Sequence, residues 1–550
     1  MPFCFCKVER GDLVSIYFWG VIISIVIYMV VGLYAGSQVR DANDYYVSGR
    51  NAPTFLITGT LIASMLSVNG FMGDQGWCYT GNITSLVLLN SMCACGYVLG
   101  PLVFGRYLRR SECTTMPEYF GVRYHDRKIR RVAGIITIVS LTAYLLACIT
   151  GVGILIQELT GLPYEVTLFL AWLCFTVFTF YSGSKGVVLT DTLMFLVFLL
   201  GVILAGPIIF KAQGGIGKLL TNLMNNPAAP QGLLDFHGNI AGTGAKDVFG
   251  AVMYAVTMGI IWLITVAVSP WQAGRNLMAK SEHVTFRSGA VAAICTVVFL
   301  LFLNLQSVAV LNLNGGLEDP QRVLIWASFE VLPKLIGTLL LAGITAAGLS
   351  SASTFLSVIG FSVTSDIIDR KFNSEEEKLK HSRIMMLIVG ILALMLAYVG
   401  LGGVRVISWF ASTIIAASWV VPGIGGIVCK KLSATGARWA MISGFLGFVI
   451  PKSLVGLGIS PFAGVFVNFL DPFFIGIYLS LFFALIGTKL HQAGTEEMEY
   501  HEKLMILPDK EKAASEYKRD RRYGYILIIA GVITTLVLLF GWALPYNGMI

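Results

Sequence analysis

The chain has 550 residues, of which 56% are hydrophobic and 13% charged, and its formal net charge is +8. Water-soluble domains carry roughly 25% charged residues, so this composition excludes an ordinary soluble globular protein. The charges lie mainly between long apolar runs. The excess of positive charge therefore indicates membrane topology and not a nucleic-acid-binding surface.

About fourteen apolar segments reach the roughly 20 residues that a helix needs to cross a membrane. Backbone polar groups cannot stay unpaired in lipid, so these segments predict an all-α polytopic membrane protein. In chain order the segments are 12–35, 54–80, 84–106, 131–157, 162–182, 187–210, 246–270, 285–312, 334–368, 383–401, 405–429, 435–458, 466–488 and 523–544.

The basic residues predict the orientation of these segments. With the N-terminus outside, the alternating loops place about three quarters of the Lys and Arg on the inner side, where positive loops are retained. The densest basic run is 106–131, and the largest inner loop is 489–522. We expect a multi-pass protein of the plasma (inner) membrane with both termini extracytoplasmic.

Missing motifs narrow the function. The sequence has no phosphate-binding P-loop and no TVGYG-like filter, which argues against ATP-driven transport and against a potassium-type channel. No catalytic residue is predicted, and the chain is interpreted as a transporter and not an enzyme. Ionisable residues inside such a bundle are costly and mark candidate sites. Asp191 is the clearest, whereas Asp74 lies near an outer end and is interpreted as a vestibule or interface residue.

The segment 334–368 contains a run of small and hydroxyl residues, 346–354. Ala347, Ser350, Ser351 and Thr354 are spaced i, i+3, i+4 and i+7, so they share one helix face. Hydroxyl and carbonyl oxygens suit a hard cation such as sodium. Close packing of small residues between helices explains the same pattern without an ion.

A second run, 58–73, is interrupted at its centre by Ser67, Asn69 and Gly70. A break in mid-membrane exposes backbone carbonyls that an intact helix would use internally. Transporters hold ions and substrate at such breaks. The two runs together favour a cation site.

Several dispersed motifs, in order along residues 40–430, resemble those of the sodium:solute symporter family, whose members have a LeuT-type inverted-repeat fold. The motifs are Asp44–Arg50, Met116–Phe120, Leu189–Asp191 and Trp271–Ser281, followed by the hydroxyl run 346–354. The chain departs from the family pattern at Gly183–Gly186, where many members have Gly-Gly-Leu.

The resemblance implies two sodium sites. The main site would use the carbonyls of Ala63, Leu66 and Ala347 with the hydroxyls of Ser350 and Ser351. A second site, present in some members, would use four residues: Asp191, Ser350, Ser353 and Thr354.

The number of coupling ions, one or two, depends on the charge balance of Asp191. The nearest cationic candidate in sequence, Lys185, lies six residues earlier on another helix face. We therefore expect a second sodium ion to supply the counter-charge, and two ions per solute.

The implied fold has ten core helices in two inverted five-helix repeats, 54–210 and 246–429. The region 1–53 adds one preceding helix, and 430–550 adds three following helices. Solute would bind between the broken first and sixth core helices.

The solute pocket is predicted from Ser67, Asn69, Phe71, Asn90 and Trp262, with Trp409 nearby; core packing explains each residue equally well. No basic residue is evident there. The favoured solute is an amino acid or other small zwitterion, and monocarboxylates or pantothenate-like acids stay open. A sodium-independent uniporter or channel and a transporter-derived sensor are the alternatives. No organic cofactor or nucleic-acid partner is expected, and the monomer, embedded in the lipid bilayer, is the expected functional unit.

Overall fold

The computed structural model describes residues 10–37, 47–230, 233, 236, 245, 247–368, 372–459, 469–512, 515–538 and 540. In a few helical stretches, among them 10–15 and 181–185, the backbone is described and the side chains are not. Several predictions lie outside this range. They are the placement of both termini, the motif residues Asp44–Tyr46, the start of segment 466–488 and the end of segment 523–544.

The described part of the chain is helical, and its one extended contact is an isolated bridge between Ala52 and Ala279. Long apolar runs form helices because each backbone group then finds its partner within the same segment. The α-helices are α1 Arg10–Gly36, α2 Thr54–Met65, α3 Asp74–Tyr79, α4 Ile83–Gly100, α5 Arg106–Ser111, α6 Met116–Arg123, α7 Arg127–Thr160, α8 Tyr164–Ala212, α9 Leu219–Met224, α10 Val248–Val268, α11 Glu282–Leu313, α12 Val323–Glu330, α13 Lys334–Phe361, α14 Glu375–Val399, α15 Val404–Val420, α16 Gly426–Val428, α17 Ala434–Gly456, α18 Pro472–Leu490, α19 Thr495–Met505, α20 Asp509–Lys512 and α21 Ser515–Leu538.

Among the described residues, 11 helical spans are long and apolar enough to cross a membrane, or 12 with the bent pair Thr54–Met65 and Asn69–Tyr79. A polytopic all-α membrane protein is therefore confirmed. The predicted segments 162–182 and 523–544 overlap α8 and α21, which are helical where described.

The predicted segments 162–182 and 187–210 are joined without a loop, because α8 continues as helix through the residues between them, for 49 residues in all. A straight helix of that length would measure about 73 Å, more than twice the hydrocarbon thickness. Its apolar parts, Tyr164–Phe180 and Gly186–Ala212, each have the scale of one crossing. Asp191 thus lies inside a long helix.

The predicted break in the first core helix is confirmed. Helix α2 ends at Met65, a π-helical turn spans Asn69–Gly73, and the two halves are bent by 56°. The sixth core helix is also interrupted. Helix α10 ends at Val268, Ser269 is extended, and a 3-10 helix follows at Ala273–Met278.

Helix α13, the predicted eighth core helix, packs against the break in the first. A Cβ at Gly348 would lie 2.8 Å from Val68 and 2.4 Å from Val152, and one at Gly151 would lie 2.0 Å from Val68. Glycine fits at both positions because a methyl group there would overlap these valine side chains. The run of small residues therefore serves packing, and its hydroxyls lie beside the exposed carbonyls of the break.

The predicted inner loop 489–522 contains the short surface helix α19, which docks on the bundle. The Arg123 side chain is fully buried and donates to Glu497 O at 3.2 Å and to Gly426 O at 2.8 Å. His501 Nε2 lies 2.7 Å from Ile427 O. The predicted three C-terminal helices correspond to α17, α18 and α21.

Candidate functional site

The break in the first core helix redirects its backbone hydrogen bonds. The Ser67 N–H donates to Met65 O at 2.9 Å, and the Gly70 N–H donates to Ser67 O at 3.0 Å. In a continuous helix these two donors would serve Ala63 O and Leu66 O. The break therefore releases the two carbonyls that were predicted as ion ligands.

Helix α13 places its hydroxyls against these carbonyls. Ser350 Oγ lies 3.0 Å from Ala63 O and 3.2 Å from Ala347 O, and donates to both. Ser351 Oγ is buried without a hydrogen-bond partner. The structure thus brings Ala63, Ala347 and Ser350 together. Leu66 and Ser351 are buried beside them, and no described hydrogen bond joins them to the other three.

The second predicted set is arranged differently, because Asp191 already has a positive partner. Arg275 Nη2 lies 3.2 Å from Asp191 Oδ2 and donates to Thr354 Oγ1 at 2.6 Å. Thr60 Oγ1 donates to the same carboxylate oxygen at 2.6 Å. The expectation that Asp191 lacks a cationic partner is therefore wrong. Lys185 was the nearest in sequence, but the interrupted sixth helix brings Arg275 to the carboxylate.

Two further atoms of this set can be located. Ser353 Oγ donates to Ser350 O at 3.0 Å. Asp191 Oδ1 is buried and accepts no hydrogen bond from a described residue. The guanidinium group thus binds Asp191 and Thr354 through one nitrogen, and one carboxylate oxygen remains unpaired.

All five predicted solute-binding residues are buried, and the Asn69 N–H donates to Ser67 Oγ at 3.2 Å. Ser67 Oγ lies 3.3 Å from the Tyr144 hydroxyl, and Trp262 makes an edge-to-face contact with Trp409 at 5.9 Å. Asn90 is buried in α4. Phe71 packs against Phe198 and Phe299 at 5.5 and 5.9 Å, so its ring belongs to an aromatic core cluster.

The absence of a basic residue near the pocket was also predicted, and this is wrong. Asn69 Nδ2 donates to Asp74 Oδ2 at 3.1 Å, and Arg405 Nε lies 3.4 Å from Asp74 Oδ1. Arg405 is the second residue of α15, more than 300 positions away from Asp74. A charged residue within two residues of a predicted segment start was the signal that could have identified it.

A cavity opens beside the Asp191–Arg275 pair, toward the end of the bundle that is predicted to face the cytoplasm. Its lining includes Thr115, Trp271, Arg275, Thr354 and Phe361. The basic-loop motif Met116–Phe120 begins at its edge, with Thr115 capping α6 and donating to Asp366 Oδ1 at 2.9 Å. The site region is therefore accessible from the end predicted to face the cytoplasm.

A broken helix facing a hydroxyl-rich helix in a polytopic bundle is the arrangement of a secondary transporter. The sequence profile of the Sodium:solute symporter family matches residues 45–444. The chain belongs to the sodium:solute symporter family, which confirms the resemblance seen in its motifs.

Relatives and solved structures agree with this assignment. The chain is 23% identical to the sodium/pantothenate symporter of Haemophilus influenzae over 87% of its own length and 98% of that protein. It is 22% identical to the sodium/proline symporter of Escherichia coli, covering 78% and 86% of the two chains. A solved Na⁺-coupled sialic acid symporter has the same fold, with a TM-score of 0.71 at 19% identity, covering 88% of this chain and 100% of that one.

Proposed function

We propose that this protein couples the entry of a small organic solute to the entry of sodium by alternating access. The observation that carries the proposal is the pair of carbonyls, Ala63 and Leu66, that the helix break releases opposite Ser350. Neutral oxygens from two separate helices can bind a hard cation only when those helices are held together. Ion binding then favours one conformation of the bundle.

The proposed architecture has fourteen crossings, with inverted repeats at 54–210 and 246–429. The regions 1–53 and 430–550 contribute the additional helices. The basic inner loops support a plasma-membrane protein with extracytoplasmic termini and with the loop 489–522 in the cytoplasm. The monomer is the proposed functional unit, since all proposed ligands come from one chain.

The main sodium site comprises Ala63, Leu66, Ala347, Ser350 and Ser351. A second ion is proposed at Asp191, Ser350, Ser353 and Thr354, through the unpaired Asp191 Oδ1. Because Arg275 already balances the charge of Asp191, charge alone does not require that ion. Reversal potentials of wild-type and Asp191→Asn protein in electrogenic vesicles would distinguish one coupled ion from two.

Coupling follows from differential affinity between conformations. Sodium that bridges the first and eighth core helices favours the outward-open state and orders the solute pocket around Ser67, Asn69, Asn90 and Trp262. Bound solute permits closure, and low cytoplasmic sodium favours release through the inner cavity. The proposal needs no organic cofactor and no ATP.

The favoured solute is an amino acid or another small zwitterion, and a monocarboxylate is the second choice. The curated relatives are named for pantothenate and proline, which both carry a carboxylate.

A thermal-shift screen of the purified protein tests the proposal. Candidate solutes are added in sodium buffer and in potassium buffer of equal ionic strength. We expect stabilisation by at least one solute to require sodium, because ligands stabilise the state that they bind. Equal stabilisation in both buffers would indicate a sodium-independent carrier.

A further inference from the structure

The broken first core helix and the tenth core helix meet in a charged contact at the predicted outer end. Asp74 begins α3 and Arg405 lies at the start of α15, and their side chains are 14% and 16% exposed. A Cβ at Gly73 would lie 3.0 Å from the Arg405 backbone nitrogen, so the two elements are in direct contact. The ion pair lies at the edge of the region proposed to bind solute.

The guanidinium group lies against two indole rings. The Arg405 Cζ atom is 3.6 Å from the Trp77 ring centroid and 4.4 Å from that of Trp409. Trp409 in turn contacts Trp262, a residue proposed to contact solute. Aromatic faces attract cations, and here a cation of the protein itself occupies them. A cationic solute therefore finds these faces already taken.

The hydrogen-bonding capacity of the pair is incompletely used. Arg405 Nε lies 3.4 Å from Asp74 Oδ1, and Arg405 Nη2 has no acceptor among the described residues. Asn69 Oδ1 likewise accepts no hydrogen bond from a described residue. Buried donors and acceptors left unpaired are destabilising, so this arrangement favours a ligand with both kinds of group.

We propose that Arg405 binds the carboxylate and that Asp74, with Asn69, binds the ammonium group of a zwitterionic solute. This inference rests on the proposed solute transport and names its substrate class. A carboxylate accepts two parallel hydrogen bonds from a guanidinium group, which the free Nε and Nη2 can supply. The solute enters between the two side chains when the outer halves of the helices separate, and it replaces their imperfect direct contact.

Matched ligands test this recognition in the purified full-length protein. The twenty proteinogenic amino acids and pantothenate are titrated in sodium buffer with thermal shift as the readout. Each amino acid that binds is compared with its deaminated acid and its decarboxylated amine; for proline these are cyclopentanecarboxylate and pyrrolidine. We expect a zwitterion to bind at least about tenfold more tightly than either analogue.

Variants distinguish recognition of the ammonium group from recognition of the carboxylate. Asp74→Asn should weaken the zwitterion about tenfold and change binding of the deaminated acid less than about twofold. Arg405→Gln should weaken both, and Arg405→Lys should retain part of the carboxylate affinity. Glu502→Gln is the matched control, since Glu502 pairs with Lys430 at an exposed position and should leave all affinities unchanged.

Three results would overturn the inference. The first is that an acid without an ammonium group binds most tightly. The second is that no zwitterion binds while sodium still stabilises the protein. The third is that Asp74→Asn lowers the affinity for the zwitterion and for the deaminated acid equally. Zwitterion binding that is independent of sodium would refute the coupling in the proposed function and would uphold this recognition.

Discussion

Ser351 is the residue whose proposed role is easiest to isolate. Its hydroxyl is fully buried and has no hydrogen-bond partner among the described residues, so Ser351→Ala removes a proposed ion ligand without breaking a described hydrogen bond. We expect the sodium concentration for half-maximal transport to rise about tenfold, the equivalent of one lost polar contact. Sodium titration of uptake measures this.

Ser362→Ala is the control for Ser351. Ser362 follows the same helix, and its hydroxyl is also buried and without a partner. It lies about 17 Å farther along the helix axis, so its removal should leave sodium dependence unchanged. If Ser351→Ala behaves like the control, Ser351 serves packing alone.

The Asp191–Arg275 pair makes a prediction about stability. Removing one member of a buried ion pair leaves an uncompensated charge and costs roughly 3–5 kcal/mol. Asp191→Asn and Arg275→Gln should each lower the unfolding temperature, and the double variant should recover part of the loss. Thermal unfolding of the four proteins measures the interaction. Additive losses in the double variant would show that the two side chains do not stabilise each other.

For single residues, the sequence predicts which residue types form a site better than it predicts which side chains pair with one another. The family resemblance paired Ser350 with the carbonyl of Ala63 in advance, and helix spacing and the visible break marked the two runs that contain them. The partners of Arg275 and Arg405 could not be identified in advance. The fold brings Arg275 to Asp191 from an interrupted helix, and it brings Arg405 to Asp74 from the start of a helix far away in sequence.

Among the elements, the contact of α13 with the helix break makes the sharpest prediction. A methyl group at Gly348 would lie 2.4 Å from the Val152 side chain and 2.8 Å from that of Val68, so the helices must move apart. Such overpacking costs roughly 1–3 kcal/mol. Gly348→Ala should therefore raise the half-maximal sodium concentration roughly tenfold although it removes no ligand.

Gly456→Ala is the matched control for Gly348, since a Cβ there meets nothing within 4 Å. Its sodium dependence should equal that of the wild type. An unchanged sodium dependence in Gly348→Ala would mean that the distance between α13 and the break does not set the ion affinity.

The helices themselves were largely predictable. Long apolar runs permit only helices in lipid, and Ser67, Asn69 and Gly70 marked the break. The boundary inside α8 was misjudged because Gly183 and Gly186, read as a loop, are accommodated within the helix. The close contacts at Gly151 and Gly348 could not be predicted from the sequence, since a glycine does not indicate which residue packs against it.

For the whole molecule, the predicted orientation can be tested with single cysteines. Cys429 is exposed beyond α15, at the end predicted to face the cytoplasm. In a variant with the other cysteines replaced by serine, a membrane-impermeant maleimide should label Cys429 only after the membrane is opened. Leu401→Cys in a cysteine-free background, at an exposed position before α15, should be labelled from outside. The reverse pattern would invert the topology.

Sodium-gradient-driven uptake into vesicles that contain no ATP tests the central proposal most directly. Purified protein is reconstituted, and accumulation of radiolabelled amino acids and pantothenate is followed under an inward sodium gradient or an equal choline gradient. The account predicts that at least one solute accumulates above its external concentration with sodium, and that a sodium ionophore abolishes the accumulation. Equal uptake of every solute with sodium and with choline would contradict it.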